Sequence, residues 1–319
     1  YSVEINGKVI TAKNIIVATG AQPLVPGIKN IESVEYLTSD TIWEIREQPK
    51  RLVVLGGGPI GTELSQAFHR LGSEVTQIEA FDRIMSREDP EFSHMVMDSM
   101  KAEGVEILTG HTATEVVIEN GDKFLRIESV ENRESQLIPF DQLLVAIGRK
   151  ANVTGFGLED LGISLTDRGT IEVDEYLRTN YPNIYAIGDV ACFETSTGEH
   201  RRYESVQNAN DQARALARTL CGERTSYDAL PWFWSDQGSI KLQMAGDSCG
   251  ASKVVAVDGE KAPQTAAFCF NAQDHLCAVE TINWPAYHAL SRKALSGGRV
   301  ITRAHLESAD YVLKTALKS

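Results

Sequence analysis

The sequence predicts a mixed α/β fold, in which a parallel sheet is followed by a separate α+β domain. Three observations lead to this expectation. The apolar run at residues 52–55 leads directly into a glycine-rich turn and then into a helical pattern. Helix-like and strand-like patterns alternate over residues 51–148, as in a parallel sheet with an antiparallel excursion. From Tyr227 onward, short strand-like runs precede terminal helices, which indicates a second kind of domain.

The expected elements follow one another in this order. Residues 1–10 alternate in polarity and turn at Asn6-Gly7, which predicts a β-hairpin. A buried strand is expected at 13–17 and a short helix at 39–46. The alternating region then gives a helix from Pro59, a strand at 75–78, a helix at 90–103, and strands at 105–108, 114–118, 124–129 and 143–146.

Beyond the alternating region, another strand ends in Gly188-Asp189, and the small residues after it are expected to begin a helix. A long helix with an alanine-rich face is expected at 205–221. The C-terminal strands are expected at 240–245, 253–257, 265–270 and 276–282, before helices at the end of the chain.

The glycine-rich turn has the spacing of a dinucleotide-binding βαβ unit. Gly56 permits the tight turn, Gly58 lets the backbone approach a pyrophosphate, and Gly61 lets the helix pack closely on the strand. The helix begins at Pro59-Ile60, so its free N–H groups and positive end would face the phosphates.

The second strand of this unit ends in an acidic residue, Glu79. It follows the turn at about the distance of 20 residues that the fingerprint requires. Its carboxylate would accept hydrogen bonds from the adenosine ribose and repel a 2′-phosphate, which favours NADH over NADPH. A glycine-rich loop that binds nothing is the alternative, but strand, turn, helix, strand and acid in this order predict NADH binding.

Composition limits the function classes. The chain has 319 residues and a net charge of −13, which argues against nucleic acid and against an anionic membrane surface. Residues 227–319 are neutral, with nine basic and nine acidic side chains, so the N-terminal part carries the whole excess. Five scattered cysteines have no metal-ligand spacing, and no apolar run is long enough to cross a bilayer. We therefore expect a cytoplasmic protein without a metal site.

Four motifs occur in the order found in FAD-dependent pyridine nucleotide oxidoreductases, namely Ala18-Thr19-Gly20, the glycine turn at 56–63, Ala146-Ile147-Gly148-Arg149 and the segment 186–191. The chain resembles this family. The resemblance implies a Rossmann-like three-layer NADH domain (49–141) inserted in a partial FAD-binding domain (1–48 and 142–226), plus a C-terminal reductase-type α+β domain (227–319). It also implies FAD and NAD as cofactors.

The resemblance points to two branches of the family. Residues 1–191 look most like mercuric reductase and dihydrolipoamide dehydrogenase, because of the segment 81–91 and the motif ending in Arg149. Residues 200–319 resemble ferredoxin and rubredoxin reductases, because of the segments 204–213 and 231–237. The second match implies a small iron–sulfur protein as electron acceptor.

Several residues are candidates for holding the flavin. Asp189, at a strand end beside Gly188 and Val190, could accept a hydrogen bond from a ribityl hydroxyl while a following helix faces the pyrophosphate. An ordinary Asx turn is the alternative. The motifs of the family also imply cofactor contacts at Thr19, Gly20 and Gly148.

Trp232-Phe233-Trp234 cannot all face one core, because neighbouring side chains of an extended chain alternate. The resemblance implies that Trp234 contacts the flavin, and plain core packing is the alternative. Glu63, in the first turn of the helix after Gly61, is the catalytic candidate near the nicotinamide, although a glutamate there also simply favours the helix dipole. Glu204 and Gln207, at the expected start of the helix from Ser205, are equal candidates on the FAD side.

The family has a further glycine turn, which binds the FAD adenosine diphosphate, and this sequence does not contain it. We expect either a missing N-terminal segment or a partner chain that supplies it, and weak FAD affinity or none in the chain alone.

The expected activity is electron transfer from NADH through FAD to an iron–sulfur protein. A basic patch (Arg292, Lys293, Arg299 and Arg303) would dock this protein, unless it is only a solvated face. One alternative is a disulfide- or metal-reducing flavoenzyme of the mercuric reductase type, which would need a cysteine pair from outside this sequence. Another is an NADH-binding remnant or subunit without activity.

Overall fold

A computed structural model describes residues 2–195, 198–297 and 300–316. The strands are, in chain order, β1 (Ser2–Ile5), β2 (Lys8–Thr11), β3 (Ile15–Val17), β4 (Ala21–Pro23), β5 (Tyr36–Thr38), β6 (Arg51–Leu55), β7 (Glu74–Ile78), β8 (Glu106–Leu108), β9 (His111–Glu119), β10 (Asp122–Ser129), β11 (Ser135–Phe140), β12 (Gln142–Val145), β13 (Arg149–Ala151), β14 (Ile171–Val173), β15 (Ile184–Ala186), β16 (Ala191–Glu194), β17 (His200–Arg201), β18 (Trp232–Gln237), β19 (Ile240–Gly246), β20 (Lys253–Asp258), β21 (Thr265–Phe270) and β22 (Leu276–Ile282). The α-helices are α1 (Pro59–Arg70), α2 (Pro90–Glu103), α3 (Leu158–Leu161), α4 (Val206–Leu220), α5 (Pro285–Ser296), α6 (Arg303–Glu307) and α7 (Leu313–Ala316).

The chain divides into two compact units. Unit 1 comprises Tyr1–Gln22 and Arg149–Phe233, and unit 2 comprises Pro23–Gly148 and Trp234–Ser319. The three-domain division with boundaries at 48/49, 141/142 and 226/227 stays a prediction. Among the described residues, no helix is long and apolar enough to cross a bilayer.

The parallel sheet of unit 2 has the strand order β5-β12-β6-β7-β8, and every neighbouring pair runs parallel. Residues 52–55 of β6 are at most 3% exposed. Leu52 and Val54 belong to one buried cluster, whereas Val53 and Leu55 belong to another. Both faces of the sheet are therefore covered, which is why this strand is an uninterrupted apolar run. The expected Rossmann-like parallel sheet is confirmed.

The antiparallel excursion is also present, as a sheet with the order β11-β10-β9. Strand β11 was not predicted, because it begins with polar residues and contains Pro139. Proline is tolerated there because β11 is an edge strand, where no further strand needs its missing N–H group. Ile138 and Phe140 of β11 are buried in the same cluster as Val53.

The C-terminal part of unit 2 is an antiparallel sheet with the order β18-β19-β22-β21-β20. Phe268 and Phe270 share a core with residues of α6 and α7. Leu242 and Ile282 belong to the same buried cluster as Leu52 of the parallel sheet. The expected C-terminal α+β architecture is confirmed, and within unit 2 it shares a core with the parallel sheet.

Unit 1 contains the predicted N-terminal hairpin, in which β1 and β2 pair around Asn6 and Gly7, both with positive φ. The strand expected at 13–17 is shorter, since β3 begins at Ile15, and only Val17 of it is buried. In unit 2, the helix expected at 39–46 is a single 3-10 turn, Ile42–Glu44.

The helix expected directly after Asp189 is wrong. Gly188–Val190 is a short 3-10 turn, and the chain continues as strand β16. Val190, Ala191 and Phe193 are buried in the unit 1 core, so this segment satisfies its backbone in a sheet with β14 and β17. The next long helix, α4, begins only after Ser205, whose hydroxyl accepts the Asn208 N–H.

Candidate functional site

The glycine turn between β6 and α1 has the steric properties that its spacing predicts. Gly56 has φ +111, and a Cβ there would clash with the carbonyl oxygen of Ala146. A Cβ on Gly61 would clash with the carbonyl oxygen of Gly56, so the helix could not pack as closely. Gly58 differs, because a Cβ on it would meet no heavy atom within 4 Å. Gly56 and Gly61 are therefore packed against protein backbone, whereas Gly58 faces open space.

The start of α1 is free to receive an anion. Gly58 is the N-cap residue and offers no side chain, and Pro59 occupies the first turn. Ile60 is exposed beside them. The first N–H groups of a helix have no partner within the helix, so an uncapped and accessible start fits a phosphate.

Glu79 lies at the end of β7, next to this turn. Its Oε2 accepts the Gly57 N–H at 2.5 Å, and its Oε1 accepts the Phe81 N–H at 2.8 Å. The carboxylate is half-buried and fixed by the backbone on both sides. A Cβ on Gly57 would come within 2.8 Å of Glu79 Oε2, so Gly57 is also needed as glycine. Turn and acid form one preorganised structure that fits the ribose and pyrophosphate of a dinucleotide.

The buried amide of Gln77 supports the turn, and Gln77 was not among the predicted site residues. Gln77 is fully buried, and its Nε2 donates to the Gly56 carbonyl at 3.0 Å and to Thr62 Oγ1 at 3.1 Å. Thr62 in turn donates to the Gly57 carbonyl at 3.2 Å. The available signal was a long polar residue inside an otherwise buried parallel strand.

Glu63 follows the first turn of α1, which contains no acidic residue, and its side chain reaches β18. Ser235 Oγ donates to Glu63 Oε1 at 2.6 Å, and the Asp236 N–H donates to the same carboxylate. The residue as a whole is exposed, but its carboxylate end is partly withdrawn from water. This burial raises the pKa of Glu63 above its ordinary value, while the hydrogen bonds from Ser235 and Asp236 oppose the rise.

Trp234 precedes Ser235 on β18, where exposure alternates along the strand. Trp234 is 43% exposed, whereas Ser235 and Gln237 are fully buried. The structure therefore does not place Trp234 in a core. An exposed indole lies one residue from the hydroxyl that binds Glu63, at the start of the C-terminal part of unit 2.

Gly148 follows β12 and has φ +141, which few residues other than glycine adopt. Its carbonyl accepts the Leu24 N–H at 2.9 Å. Two residues earlier, Ala146 touches the glycine turn, since its Cβ is 3.6 Å from the position of a Cβ on Gly61. The structure thus brings the Gly148 motif beside the turn at Gly56, although about ninety residues of sequence separate them.

In unit 1, Thr19 and Gly20 are held by one asparagine. Thr19 Oγ1 donates to the Asn152 carbonyl at 2.7 Å, and Asn152 Nδ2 donates back to the Thr19 carbonyl at 2.9 Å. The Asn152 N–H donates to the Gly20 carbonyl at 3.0 Å. Gly20 has φ +67, and a Cβ on it would meet open space. Asn152 was not among the predicted site residues.

Asp189 lies in the 3-10 turn of unit 1, close enough to Arg202 and Arg149 for their charges to act on it. Burial raises its pKa, and the positive charges of Arg202 and Arg149 oppose the rise. Arg202 Nε also donates to the Asp189 carbonyl at 2.7 Å. Gln212 Oε1 of α4 accepts the Gly188 N–H at 2.7 Å, while its buried Nε2 has no hydrogen-bond partner among the described residues.

These groups fit a ligand rich in hydroxyls and negative charge, as the flavin side of the site requires. The side chain of Val190 is fully buried, so Val190 has only its backbone to offer a cofactor. Glu204, a candidate on the FAD side, is in an ion pair with Arg202 at 2.8 Å.

Residues 2–213 match the family described as "Pyridine nucleotide-disulphide oxidoreductase", and residues 232–317 match "Reductase C-terminal". The chain belongs to the pyridine nucleotide-disulphide oxidoreductase family. The family description names an oxidoreductase that uses a pyridine nucleotide, and the family implies FAD and NAD(H) as cofactors.

Some relatives match only part of the chain, and others match nearly all of it. A mercuric reductase of Bacillus cereus is 40% identical over 189 residues, which are 59% of this chain and 30% of that protein. The rhodocoxin reductase of Rhodococcus erythropolis is 34% identical over 98% of this chain and 73% of its own length. The ferredoxin–NAD(+) reductase component of a p-cumate 2,3-dioxygenase system from Pseudomonas putida is 35% identical over 90% of this chain and 70% of its own length.

Solved structures show the same fold. The ferredoxin reductase for the CYP199A2 system from Rhodopseudomonas palustris has a TM-score of 0.86 and 33% identity, over 97% of this chain and 76% of that one. A covalent putidaredoxin reductase–putidaredoxin complex has a TM-score of 0.85 and 26% identity, over 98% of this chain and 76% of that one. The expected resemblance to both branches of the family is confirmed.

The basic patch is partly neutralised in the structure. Arg303 is in ion pairs with Asp274 and Glu307, both at 2.9 Å, although the segment 284–306 itself contains no acid. Arg299 lies outside the described residues. Lys293, on α5, is exposed. The positive charge of the patch is therefore smaller than the sequence alone indicated.

Proposed function

We propose that this protein is an NADH-dependent reductase whose electrons pass through FAD to a small iron–sulfur protein. The observation that carries the proposal is the junction inside unit 2. Glu63 of the glycine-turn helix binds Ser235 of β18, next to the exposed Trp234. A dinucleotide turn and the reductase-type C-terminal segment thus meet at one carboxylate. Relatives that cover most of the chain bear the names rhodocoxin reductase and ferredoxin–NAD(+) reductase component, which supports the iron–sulfur acceptor.

NADH would be held by the turn and by Glu79. The open face of Gly58 and the free start of α1 would take the pyrophosphate. Each oxygen of Glu79 already accepts one backbone N–H, and an ionised carboxylate has further lone pairs for ribose hydroxyls. A 2′-phosphate would bring negative charge against this fixed carboxylate, so the site would prefer NADH to NADPH.

Glu63 would contact the nicotinamide end of the dinucleotide. In open α/β sheets, ligands bind outside the carboxyl ends of the strands, and the first turn of α1 lies at that end of β6. The Glu63 carboxylate is fixed on one side by Ser235 and Asp236. Its remaining acceptor sites would orient an amide donor on the dinucleotide.

Unit 1 would hold FAD through Asp189, Gly20 and Thr19, with Arg149 and Arg202 nearby as positive charges. When bound, FAD accepts a hydride and releases electrons singly, and the protein supplies position and electrostatics. The Asp189 carboxylate would accept a hydrogen bond from a ribityl hydroxyl, and the positive charges of Arg202 and Arg149 would favour its ionised form against the effect of burial.

A docking surface for the acceptor would include the basic patch. We expect Lys293→Glu to slow reduction of an acidic iron–sulfur protein and to flatten its salt dependence, because steering depends on net local charge. Lys253→Glu, at an exposed position on β20, is the matched control. Equal effects of the two substitutions would contradict a docking role for the patch.

A disulfide- or metal-reducing enzyme is the second candidate, because a mercuric reductase is 40% identical over 189 residues of this chain. The match of residues 232–317 to a reductase C-terminal family favours the first candidate. No two of the five cysteines have the Cys-x-x-Cys or Cys-x4-Cys spacing of a redox pair, so the second candidate would need a cysteine pair from outside this sequence.

The deciding experiment measures reduction of an acceptor by the purified protein in the presence of NADH and FAD. Three acceptors are compared: a small [2Fe–2S] ferredoxin, a disulfide reagent and Hg(II). The proposal expects NADH-dependent bleaching of the ferredoxin absorbance. Reduction of the disulfide or of Hg(II), without reduction of the ferredoxin, would overturn it. NADH binding without reduction of any acceptor, and without flavin retained by the protein after free FAD is removed, would favour a subunit without activity.

A further inference from the structure

Ser235 is a buried hydroxyl with both of its hydrogen-bonding roles fixed. Gln237 Nε2 donates to Ser235 Oγ at 2.8 Å, and Ser235 Oγ donates to Glu63 Oε1 at 2.6 Å. A serine hydroxyl has one proton, and the amide occupies an acceptor position, so the proton is directed to Glu63. Both Ser235 and Gln237 are fully buried, which means that water does not compete for these contacts.

The contact between α1 and β18 is broader than this one hydrogen bond. Glu63, Gln66 and Arg70 are spaced three and four residues apart, so they share one face of α1. A Cβ on Gly238, which follows β18, would clash with the side chains of Gln66 and Arg70. Strand end and helix face are therefore packed directly on each other, and Ser235 keeps a defined position relative to Glu63.

We propose that Ser235 is a positioning residue for Glu63: its hydroxyl, oriented by Gln237, holds the carboxylate at the nicotinamide end of the dinucleotide site. The C-terminal part of the chain would then complete a site that the glycine turn begins. This inference rests on the proposed function of Glu63. The sequence offered no signal for it, because Ser235 lies 172 residues from Glu63.

The contribution of Ser235 to the position of Glu63 can be measured through the pH at which Glu63 titrates. Asp236 is the charged group that acts on the carboxylate, and its negative charge favours the protonated form. Burial acts in the same direction, whereas Ser235 and the Asp236 N–H stabilise the ionised form. Loss of the Ser235 hydroxyl should therefore raise the pH at which Glu63 titrates. One hydrogen bond to a charged group is strong enough to move a titration midpoint by about one pH unit.

The test is a titration of the protein labelled with ¹³C at the glutamate carboxyl carbons, followed by NMR. The Glu63 signal is identified by its absence in Glu63→Gln. We expect Ser235→Ala to raise the midpoint of this signal by about one pH unit, and Gln237→Leu to raise it by less. Ser65→Ala is the matched control, because Ser65 is buried on the same helix and its hydroxyl has no hydrogen-bond partner within the described part of the chain. Circular dichroism confirms that each variant is folded.

A midpoint that moves in Ser65→Ala as much as in Ser235→Ala, or in neither, would overturn the positioning role. Calorimetric titration with NADH separates this inference from the proposed function. If Ser235→Ala moves the midpoint but Glu63→Gln binds NADH as wild type does, the positioning contact is supported and the nicotinamide role of Glu63 is wrong. If Glu63→Gln weakens NADH binding at least several-fold but Ser235→Ala leaves the midpoint unchanged, the nicotinamide role is supported and the inference fails.

Discussion

Two carboxyl groups of unit 2 are coupled electrostatically, namely that of the fully buried Glu280 and that of the half-buried Glu88. Glu280 Oε2 accepts the N–H of Asp89, the N-cap residue of α2, at 2.8 Å, and Ser248 donates to the same carboxyl group. Burial raises the pKa of Glu280 to about 7. Burial and the charge of Glu280 raise the pKa of Glu88 to about 8, against a small opposing effect of Arg87. Burial raises the pKa of the Cys269 thiol on β21, and the charge of Glu280 contributes to the rise.

The sign of the pH dependence follows from proton binding. Both carboxyl groups bind protons more tightly in the folded protein than in the unfolded chain, where their pKa is near 4.5. The folded state is therefore favoured below pH 4.5 and loses stability as the pH rises through about 7 and 8. For Glu280 alone, a rise from 4.5 to about 7 corresponds to roughly 3 kcal/mol of lost stability at high pH.

We expect Glu280→Gln to remove most of this loss. A glutamine keeps an oxygen that can accept the Asp89 N–H, but it carries no charge at any pH. At pH 5 the variant and the wild type should unfold at similar urea concentrations, whereas at about pH 8.5 the variant should be more stable by about 2 kcal/mol. Urea titrations followed by tryptophan fluorescence measure both values. Glu119→Gln, at an exposed position, is the control. If the variant and the wild type lose stability in parallel as the pH rises, Glu280 is not the source of the pH dependence.

Three further substitutions test the dinucleotide site. Gly56→Ala should destabilise the protein by at least about 2 kcal/mol in urea titrations, because the residue has positive φ and its Cβ would clash with Ala146, whereas Gly27→Ala has open space and should change little. Glu79→Gln should reduce the preference for NADH over NADPH about tenfold in calorimetric titrations, since the charge that repels a 2′-phosphate is gone; an unchanged preference would contradict this role. Gln77→Leu should cost about 1–3 kcal/mol of stability and weaken NADH binding, because the Gly56 carbonyl loses its buried donor; wild-type stability would show that the amide is dispensable.

The sequence predicted those elements whose bounds are set by neighbouring residues, such as capping residues and continuous apolar runs. The bounds of α2 agree with the expected 90–103 because Asp89 caps the start, Pro90 occupies the first turn and Gly104 ends the helix with φ +112. The strand β6 was predictable because both of its faces are buried, which leaves a continuous apolar run.

The rest depends on tertiary context. A helix after Asp189 was a reasonable expectation for small residues, but the same residues are buried between neighbouring strands in the sheet β14-β16-β17. Only packing decides between these outcomes. The pairing of Glu63 with Ser235 and the ion pair of Arg303 with Asp274 join side chains that belong to different elements. No pattern in the sequence indicates such contacts.

Gly58 is the residue at which NADH binding by the glycine turn can be tested without disturbing the fold. Gly58 has an ordinary extended conformation, and a Cβ on it would meet open space, so Gly58→Ala should fold and melt as the wild type does. The same methyl group would occupy the path of a pyrophosphate, and we expect NADH affinity in calorimetric titration to fall at least about tenfold. Wild-type affinity in a normally folded Gly58→Ala variant would contradict the account.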